Sequence, residues 1–363
     1  MTIGSVPLAV VLAFSLSAAG RAGDWPQFRG PNRDDLSTET GLLKSWPKEG
    51  PPLLWKATGV GGGYSSISVA GDRIYTLGNK GRESFVVALA RDTGKPVWSA
   101  KVGAAGGNLG CTPTVDGDKL VVTPGGKQAT MAALDKQTGD TVWKCAIPVE
   151  HPQAGYSSAV IAEVGGVRQY VQLLNGGVVG VTADGRFLWK YEKLGPNTAN
   201  IPTPIVLKDR VFAIAGYGKG AALLQLKAKG EAVSATEVYF TRAMTNKHGG
   251  VLCVGEHVFG DHDDGGRPFC ADVNTGKVLW TRGDQGQGKG SASVTYADGL
   301  LYFHYQNGVV ALVEASPASY KEVGSFQVPK TSGHCWAHPV VTGGRLYLRE
   351  GDMVYCYDVR AER

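Results

Sequence analysis

The sequence predicts an all-β fold, a seven-bladed β-propeller built from four-stranded antiparallel blades. Glycine supplies 52 of 363 residues and charged residues only 19%, a balance typical of a β protein rich in turns. A polar turn containing glycine recurs, as in "KQTGDTVW" at 136–143 and "VNTGKVLW" at 273–280. Aromatic residues follow one another at intervals of 41 to 50 residues, at Trp55, Trp98, Trp143, Trp189, Tyr239, Trp280 and Phe326.

Each repeat contains four short strand segments separated by turns. Residues 112–147 show the pattern, with the strand segments "TPTV", "KLVVT", "TMAALD" and "TVWKCAI". Four strands in a period of about 40–50 residues are typical of one propeller blade. Because a blade cannot bury both of its faces alone, we interpret the repeated aromatic as filling the gap between neighbouring blades. We assign this architectural role, rather than cofactor stacking, to four tryptophans: Trp98, Trp143, Trp189 and Trp280.

The two ends of the repeat region complement each other. The last repeat supplies only three strands, whereas "PPLLWKATGV" at 51–60 is an aromatic strand without three strands before it. The amino-terminal strand should therefore complete the last blade, which removes the open sheet edges of an incomplete propeller. This closure predicts that residues 53–58 pair with residues 353–358.

Three segments divide the chain: a signal peptide at 1–23, an irregular segment at 24–50 and the propeller at 51–363. The signal peptide is predicted from an apolar stretch between Val6 and Ala19 that is followed by small residues. This stretch is short for a membrane span, although the absence of Lys or Arg before it leaves an uncleaved anchor as the alternative. No Cys lies near the cleavage site, which excludes a lipid anchor on a new amino-terminal Cys. We expect an exported protein, periplasmic or extracellular, with no transmembrane domain in the mature chain.

The irregular segment at 24–50 is rich in proline and has no strand periodicity. We expect it to pack onto the propeller through Trp25, Phe28 and Trp46, with partner binding as the alternative. The formal charge of +5 is small, and no basic stripe with interleaved aromatics occurs, so we expect no nucleic-acid partner.

With "VALARDTGKPVW", "AALDKQTGDTVW" and "CADVNTGKVLW", residues 51–358 resemble the pyrroloquinoline-quinone-like (PQQ-like) propeller repeat superfamily. The opening "DWPQFRGPNRD" is similar to the start of exported propellers of this type. The resemblance implies one of two functions. One branch contains quinone-dependent alcohol and sugar dehydrogenases, and the other contains binding or scaffold propellers, including a component of the outer-membrane β-barrel assembly machinery.

The residues do not match the dehydrogenase branch in one respect. Enzymes of that branch commonly carry two adjacent cysteines next to the quinone and a bound Ca²⁺, and here no two of the six cysteines are adjacent. We therefore expect a binding or scaffold propeller without a cofactor. The alternative is a dehydrogenase-like oxidoreductase with PQQ and Ca²⁺, so whether the protein is an enzyme stays open.

The cysteines are predicted to be buried free thiols. Cys253 and Cys270 should lie on the first and third strands of one blade, and Cys335 and Cys356 on those of another. Strands two apart are separated by about 9.6 Å, beyond the roughly 7 Å between Cα atoms that a disulfide allows. The remaining pair, Cys111 and Cys145, should lie on first and fourth strands, which are farther apart.

A weaker candidate is a metal site in "GDHDDGGRPF" at 260–269. Asp261, His262, Asp263 and Asp264 offer oxygen and nitrogen ligands for Ca²⁺ or a transition metal, although ordinary hairpin turns have similar sequences. Two further histidines in "HCWAHP" at 334–339 are four residues apart, too far for one metal if this stretch is a strand.

The candidate ligand-binding residues lie where one blade is connected to the next. These connections and the loops between second and third strands share one face of a propeller, here called the top face, which surrounds the central channel. A ring of hydrogen-bonding and aromatic groups at this place could hold a protein loop or a glycan, and the alternative is that the groups bind ordered water and cap strand ends. We expect a monomer that binds an envelope protein or glycan through this ring. Its members are Tyr64, Asn108, Tyr156, Asn200, His248, Lys289, His334 and Trp336.

Overall fold

A computed structural model of the chain describes residues 23–104, 114–196, 199–329 and 334–361. Within these ranges the protein is all-β and forms seven four-stranded antiparallel sheets, which confirms the predicted seven-bladed propeller. We number the blades in chain order from the first complete one. Residues 1–22 of the predicted signal peptide lie outside the described ranges.

The first four blades run from the inner to the outer strand in chain order. Blade 1 contains β2 (Ser68–Ala70), β3 (Arg73–Lys80), β4 (Glu83–Ala90) and β5 (Pro96–Ala104). Blade 2 contains β6 (Thr114–Asp116), β7 (Lys119–Val122), β8 (Met131–Asp135) and β9 (Thr141–Cys145). Blade 3 contains β10 (Val160–Val164), β11 (Val167–Leu174), β12 (Gly177–Thr182) and β13 (Phe187–Tyr191). Blade 4 contains β14 (Ile205–Leu207), β15 (Arg210–Ala215), β16 (Gly220–Lys229) and β17 (Ala232–Thr241).

The last three blades include the one that closes the ring. Blade 5 contains β18 (Val251–Val254), β19 (His257–His262), β20 (Arg267–Asp272) and β21 (Val278–Thr281). Blade 6 contains β22 (Ala292–Ala297), β23 (Leu300–Tyr305), β24 (Val309–Glu314) and β25 (Glu322–Gln327). Blade 7 contains β26 (Val340–Thr342), β27 (Arg345–Glu350), β28 (Met353–Asp358) and, as its outer strand, β1 (Leu53–Thr58).

Blade 7 is closed by the amino-terminal strand. β1 pairs with β28 in antiparallel register from Leu53 opposite Tyr357 to Thr58 opposite Met353. The predicted pairing of 53–58 with 353–358 is therefore confirmed.

The recurring Asp-x-x-Thr-Gly turn joins the third and fourth strands of a blade. In blade 5, one oxygen of Asp272 accepts hydrogen bonds from the backbone N–H groups of Asn274 (2.9 Å) and Thr275 (2.8 Å). Gly276 then takes a φ of 72°, a conformation that glycine adopts at no steric cost. The turn is thus encoded by three or four neighbouring residues, which is why it can be read from the sequence.

A β-bulge immediately precedes the repeated aromatic in the outer strand of most blades. Trp280 pairs with Cys270 of the neighbouring strand β20, and Val278 pairs with Ala271 of the same strand. Leu279 therefore has no partner in the pairing and is the bulged residue. The same shift precedes Trp98, Trp143, Trp189 and Tyr239. Blade 6 differs, because the residue after its bulge is Gly324, and Phe326 lies two residues farther along. Phe326 is therefore not the structural equivalent of the other aromatics.

Several of the repeated aromatics reach the turn between the third and fourth strands of the next blade. The indole N–H groups of Trp55, Trp143 and Trp280 donate to backbone carbonyls of the following blade at 3.1, 3.2 and 2.8 Å. A side chain added at Gly94 would overlap the Trp55 ring, and one added at Gly185 would overlap the Trp143 ring. These contacts agree with an architectural role for the aromatics.

Trp98 is the exception to this architectural interpretation. Its side chain is 45% exposed, and a Cβ added at Gly139, in the corresponding turn of blade 2, would meet nothing within 4 Å. The described residues form buried hydrophobic clusters across six blade interfaces, but not across the interface between blades 1 and 2. Trp98 therefore does not fill a gap between blades as the sequence pattern predicted.

The segment at 24–50 crosses the lower face, where the first and second strands of each blade are joined. It forms isolated backbone bridges from Trp25 to Val69 in blade 1, from Leu36 to Tyr296 in blade 6 and from Leu42 to Arg360 after blade 7. Trp25, Leu42 and Trp46 are buried, so the segment contributes to the core of the propeller.

Arg29 of this segment extends inward from the lower face. Its guanidinium donates to the carbonyl of Val251 in blade 5 (2.7 Å) and forms an ion pair with Asp35 (3.0 Å). The Asp35 carboxylate also lies 3.2 Å from the imidazole of His338, a residue of the connection that precedes blade 7 in the chain. All three side chains are buried, so the segment and two blades share a polar network within the propeller.

Five cysteines lie in the described ranges, and all five are free: Cys145, Cys253, Cys270, Cys335 and Cys356. Cys253 and Cys270 lie on the first and third strands of blade 5, as predicted. The placement of Cys335 on a first strand was wrong, because β26 begins only at Val340. Cys111 lies outside the described residues.

In the part of the chain that the structure describes, no helix is long and apolar enough to span a membrane.

Candidate functional site

Four of the predicted ring residues meet on the top face around Trp336. The ring centroids of Tyr64, His248 and His334 lie 4.6, 4.3 and 4.7 Å from the Trp336 ring. These residues come from three different inter-blade connections, before blades 1, 5 and 7. We call this group the Trp336 cluster.

The loop that carries Tyr64 is held by a buried arginine of blade 7. The guanidinium of Arg349 donates to the carbonyls of Gly61 and Ser65, at 2.9 Å in both cases. Burial lowers the pKa of Arg349 to about 10, which still leaves it charged at neutral pH. A rigid, charged anchor thus fixes Tyr64, whose side chain remains 50% exposed.

The other members of the cluster are also held in place. The indole N–H of Trp336 donates to the side-chain oxygen of Gln306 at 3.0 Å, which orients the ring. The connection before blade 5 packs tightly on blade 6, since a Cβ at Gly249 would overlap the carbonyl of Ala292. Burial lowers the pKa of His248 to about 4, so this imidazole is neutral at physiological pH.

The space beside the cluster is a shallow crevice rather than a deep pocket. A crevice of about 130 Å³ lies between His248, Ser291, Ser293 and Trp336, and it is too narrow for a water molecule. Ligand pockets usually measure roughly 300–1,000 Å³. The cluster therefore offers a surface on which a flat or apolar group can rest.

The remaining ring candidates do not join this cluster. Asn200 is fully buried, and its amide donates to the carbonyl of Leu174 at 2.7 Å, so it caps a strand of blade 3. Tyr156 is half-buried with a φ of 126° and makes no ring contact with the cluster. Lys289 is exposed in the connection before blade 6. Asn108 lies outside the described residues.

The acidic loop of blade 5 directs its side chains to separate partners. Asp261 is buried and accepts a hydrogen bond from the backbone N–H of Ala292 (3.1 Å), whereas the His262 ring packs on Phe269. Asp264 pairs with Lys247. Asp263 accepts a long hydrogen bond from the backbone N–H of Gly218 (3.4 Å). The metal site proposed for Asp261, His262, Asp263 and Asp264 stays a prediction.

A second group of polar side chains, missed by sequence reasoning, lies near Trp336. Within the described ranges, His304, Cys335 and Glu350 form the one trio of possible metal ligands whose donor atoms all lie within 4.8 Å of one another. His304 Nε2 lies 2.7 Å from a Glu350 oxygen, its Nδ1 contacts the carbonyl of Ala337 (3.1 Å), and the Cys335 thiol donates to Glu350. All three side chains are buried.

The spacing in this trio is that of direct hydrogen bonds. Two ligands of a tetrahedral zinc ion with bonds of about 2.0–2.1 Å lie roughly 3.3 Å apart, farther than the His304–Glu350 distance. The three side chains are therefore held together by direct hydrogen bonds to one another. No sequence signal identifies it, because its residues lie on two different blades and a connection.

The comparison with known proteins agrees with this architecture. A family model described as outer membrane protein assembly factor BamB matches residues 45–282, more than half of the chain. No curated protein matches the sequence.

Solved propellers share the fold at low sequence identity. The chain is similar to BamB from Moraxella catarrhalis, with 16% identity, a TM-score of 0.52, and coverage of 90% of this chain and 96% of that one. It is also similar to a europium-containing methanol dehydrogenase, with 12% identity, a TM-score of 0.57, and coverage of 92% and 90%. A third similar structure is the quinohemoprotein alcohol dehydrogenase ADHIIG from Pseudomonas putida HK5, with 12% identity, a TM-score of 0.52, and coverage of 94% and 81%. By the family match, together with the seven PQQ-like blades, the chain belongs to the family of the outer membrane protein assembly factor BamB.

Proposed function

We propose that the protein is an exported binding or scaffold propeller that holds another protein of the cell envelope on the Trp336 cluster. The observation that carries the proposal is the convergence of Tyr64, His248 and His334 on one tryptophan at the top of the channel. Tyrosine and tryptophan dominate the binding energy of many protein interfaces, because they bury a large area with few rotatable bonds. A BamB-like fold is consistent with a protein partner.

The chemistry of the cluster suits an apolar or flat group of the partner. His248 is neutral at physiological pH, so the ring that packs on Trp336 from blade 5 brings no charge that would need a counter-ion. Tyr64 is half exposed although its loop is held by Arg349. A preorganised exposed aromatic loses little conformational entropy on binding, which favours affinity. Aromatic rings of this kind also stack on sugar rings, so a glycan is the second ligand class to test.

The experiment compares two variants of the exported protein in the native envelope. Tyr64→Ala combined with His334→Ala removes two exposed rings of the cluster, and Trp98→Ala removes an equally exposed aromatic at the rim of blade 1 as a matched control. Proteins crosslinked to each variant are quantified by mass spectrometry, and glycan binding is measured on an array. We expect the amount of one specific crosslinked partner to fall at least tenfold in the double variant, while the control variant retains that partner.

Equal recovery of every partner by the double variant and the wild type would contradict the proposal. The dehydrogenase-like alternative is tested separately, by adding PQQ and Ca²⁺ and measuring quinone absorbance after gel filtration. Stoichiometric retention of the quinone would favour that alternative over a binding propeller.

A further inference from the structure

The trio of His304, Cys335 and Glu350 lies at the junction of blades 6 and 7, near the top face. His304 is the last but one residue of β23, and Glu350 is the last residue of β27, so both lie at the top ends of second strands. Cys335 belongs to the connection before blade 7. Three separate segments thus bring a nitrogen, a sulfur and a carboxylate to one buried point.

The imidazole of His304 has the orientation of a metal ligand. Its Nδ1 lies 3.1 Å from the carbonyl oxygen of Ala337, and because a carbonyl can only accept, Nδ1 holds a proton. Its Nε2 therefore faces Glu350. The same carbonyl accepts a hydrogen bond from the hydroxyl of Ser293 at 3.2 Å. Histidines that bind metals usually donate their other ring N–H to a carbonyl or carboxylate in this way.

Two protons hold the trio together. One lies between His304 Nε2 and a Glu350 oxygen, since two acceptors at 2.7 Å would otherwise repel each other. The second is the thiol proton that Cys335 donates to the other Glu350 oxygen. A divalent cation that replaces both protons leaves the net charge of the trio unchanged. The exchange therefore avoids the high cost of adding a charge to a buried site.

The donor atoms determine the class of metal. A thiolate, an imidazole and a single carboxylate are the ligands of zinc and related transition metals, whereas Ca²⁺ and Mg²⁺ prefer oxygen ligands alone. This donor set distinguishes the trio from the acidic loop at 261–264, which offers mainly oxygen atoms. Three protein ligands leave one position of a tetrahedral ion for water.

The trio has to open slightly to accept the ion. The distance between His304 Nε2 and the Glu350 oxygen would increase from 2.7 Å to roughly 3.3 Å, the separation of two zinc ligands. The crevice beside Trp336 is too narrow for a water molecule, so it gives no ready path for a hydrated ion. Loading during folding is therefore the simplest route, and the experiment has to include it.

We propose that His304, Cys335 and Glu350 bind one zinc-class transition-metal ion, which joins blade 6 to blade 7 and to the connection between them. Binding releases to solvent the thiol proton and the proton shared by His304 and Glu350. This site is independent of the partner-binding function proposed for the Trp336 cluster.

Cobalt and zinc binding to the full-length protein test the proposal. The protein is refolded from urea with each metal, and excess ion is removed by gel filtration. Zinc is quantified by elemental analysis, and Co²⁺ reports its ligands because thiolate coordination gives a charge-transfer band in the near ultraviolet. The test variants are Cys335→Ser and Glu350→Gln. Cys356→Ser is the control for a buried thiol of the same blade, and Asp264→Asn is the control for the acidic loop.

We expect the wild type to retain one ion per chain and to show the thiolate band, with neither lost in excess Ca²⁺. Cys335→Ser should lose the band, and both test variants should bind zinc more than about tenfold more weakly. Cys356→Ser and Asp264→Asn should behave like the wild type. Circular dichroism verifies that each variant has refolded.

The wild type decides the proposal even where a variant does not fold. A wild type that shows no thiolate band with Co²⁺ would overturn it. A band that persists in folded Cys335→Ser would do the same, because another cysteine would then bind the ion. Loss of zinc in folded Asp264→Asn, or displacement of zinc by Ca²⁺, would assign the ion to the acidic loop instead.

Discussion

Trp46 of the amino-terminal segment lies against Gly324, at the position in blade 6 where other blades carry their repeated aromatic. A Cβ at Gly324 would come within 2.8 Å of the Trp46 backbone nitrogen. The Trp46 ring packs at 5.3 Å from Phe326 and at 5.6 Å from Tyr302. A residue nearly 280 positions away in the chain thus supplies the aromatic that the blade itself lacks.

Trp46→Ala should destabilise the propeller by about 3–5 kcal/mol, the cost usual for removing a buried large aromatic. The reason is that Trp46 is buried between β25 and its neighbours in the core shared by blades 6 and 7. Urea unfolding followed by circular dichroism measures the loss, with Lys48→Ala as the exposed control. A loss below about 1 kcal/mol would show that the segment is not part of the cooperative unit.

Trp280→Ala and Trp98→Ala should differ strongly, although both residues follow the same turn and the same bulge. Trp280 is buried and donates to the carbonyl of Ser316 in the next blade, whereas Trp98 is 45% exposed. We expect about 3 kcal/mol or more of destabilisation for Trp280→Ala and about 1 kcal/mol or less for Trp98→Ala. Chemical denaturation of both variants gives the comparison. Equal losses would mean that blades 1 and 2 pack in solution as tightly as the others.

Asp261→Asn should raise the melting temperature at pH 7. Burial raises the pKa of Asp261 well above its usual range, so the folded state binds a proton that the unfolded chain releases above about pH 4. This group therefore reduces stability as pH rises, and Asn removes the effect while keeping an oxygen for the N–H of Ala292. Asp264→Asn, in the same loop, is the exposed control.

The same pair of variants tests the predicted metal site at residues 261–264. Melting is repeated with Ca²⁺ and with a chelator. If Ca²⁺ stabilises the wild type and Asp261→Asn abolishes that gain, the loop binds a metal, and the interpretation of Asp261 as a buried neutral acid is wrong.

His248 should make stability decrease as pH falls below about 6.5. Burial lowers its pKa to about 4, so between these values the unfolded state takes up a proton that the folded state does not. The stability contributed by neutral His248 is complete above pH 6.5 and is lost progressively towards pH 4, at up to about 1.4 kcal/mol per pH unit. His248→Gln should show a shallower slope between pH 6.5 and 5 in equilibrium unfolding. Identical slopes for the two proteins would contradict the assignment.

The blade architecture follows from the sequence because its determinants are local. An Asp-x-x-Thr-Gly turn is stabilised by hydrogen bonds between residues two and three apart, as at Asp272, and each copy reports one hairpin. Seven spaced aromatics then give the number of blades, and the missing strand at each end gives the closure that β1 and β28 show. The register within blade 6 was misread, because Phe326 has the expected spacing but lies two residues beyond the position that directly follows the bulge.

The candidate site was only partly predictable, since its geometry depends on how separate blades face one another. Position in a connection was enough to indicate Tyr64, His248, His334 and Trp336. The same reasoning placed Asn200 in the ring, although its amide caps a strand.

Contacts between residues far apart in the chain were decided by the tertiary structure alone. Arg29 reaches Val251 across 222 positions, and His304 meets Glu350 on another blade. Neither contact corresponds to a repeated pattern in the sequence, because the partners come within bonding distance only when the ring of blades is closed. The sequence by itself therefore determined the repeating blade, while the polar network inside the propeller and the Trp336 cluster depend on the closed ring of seven.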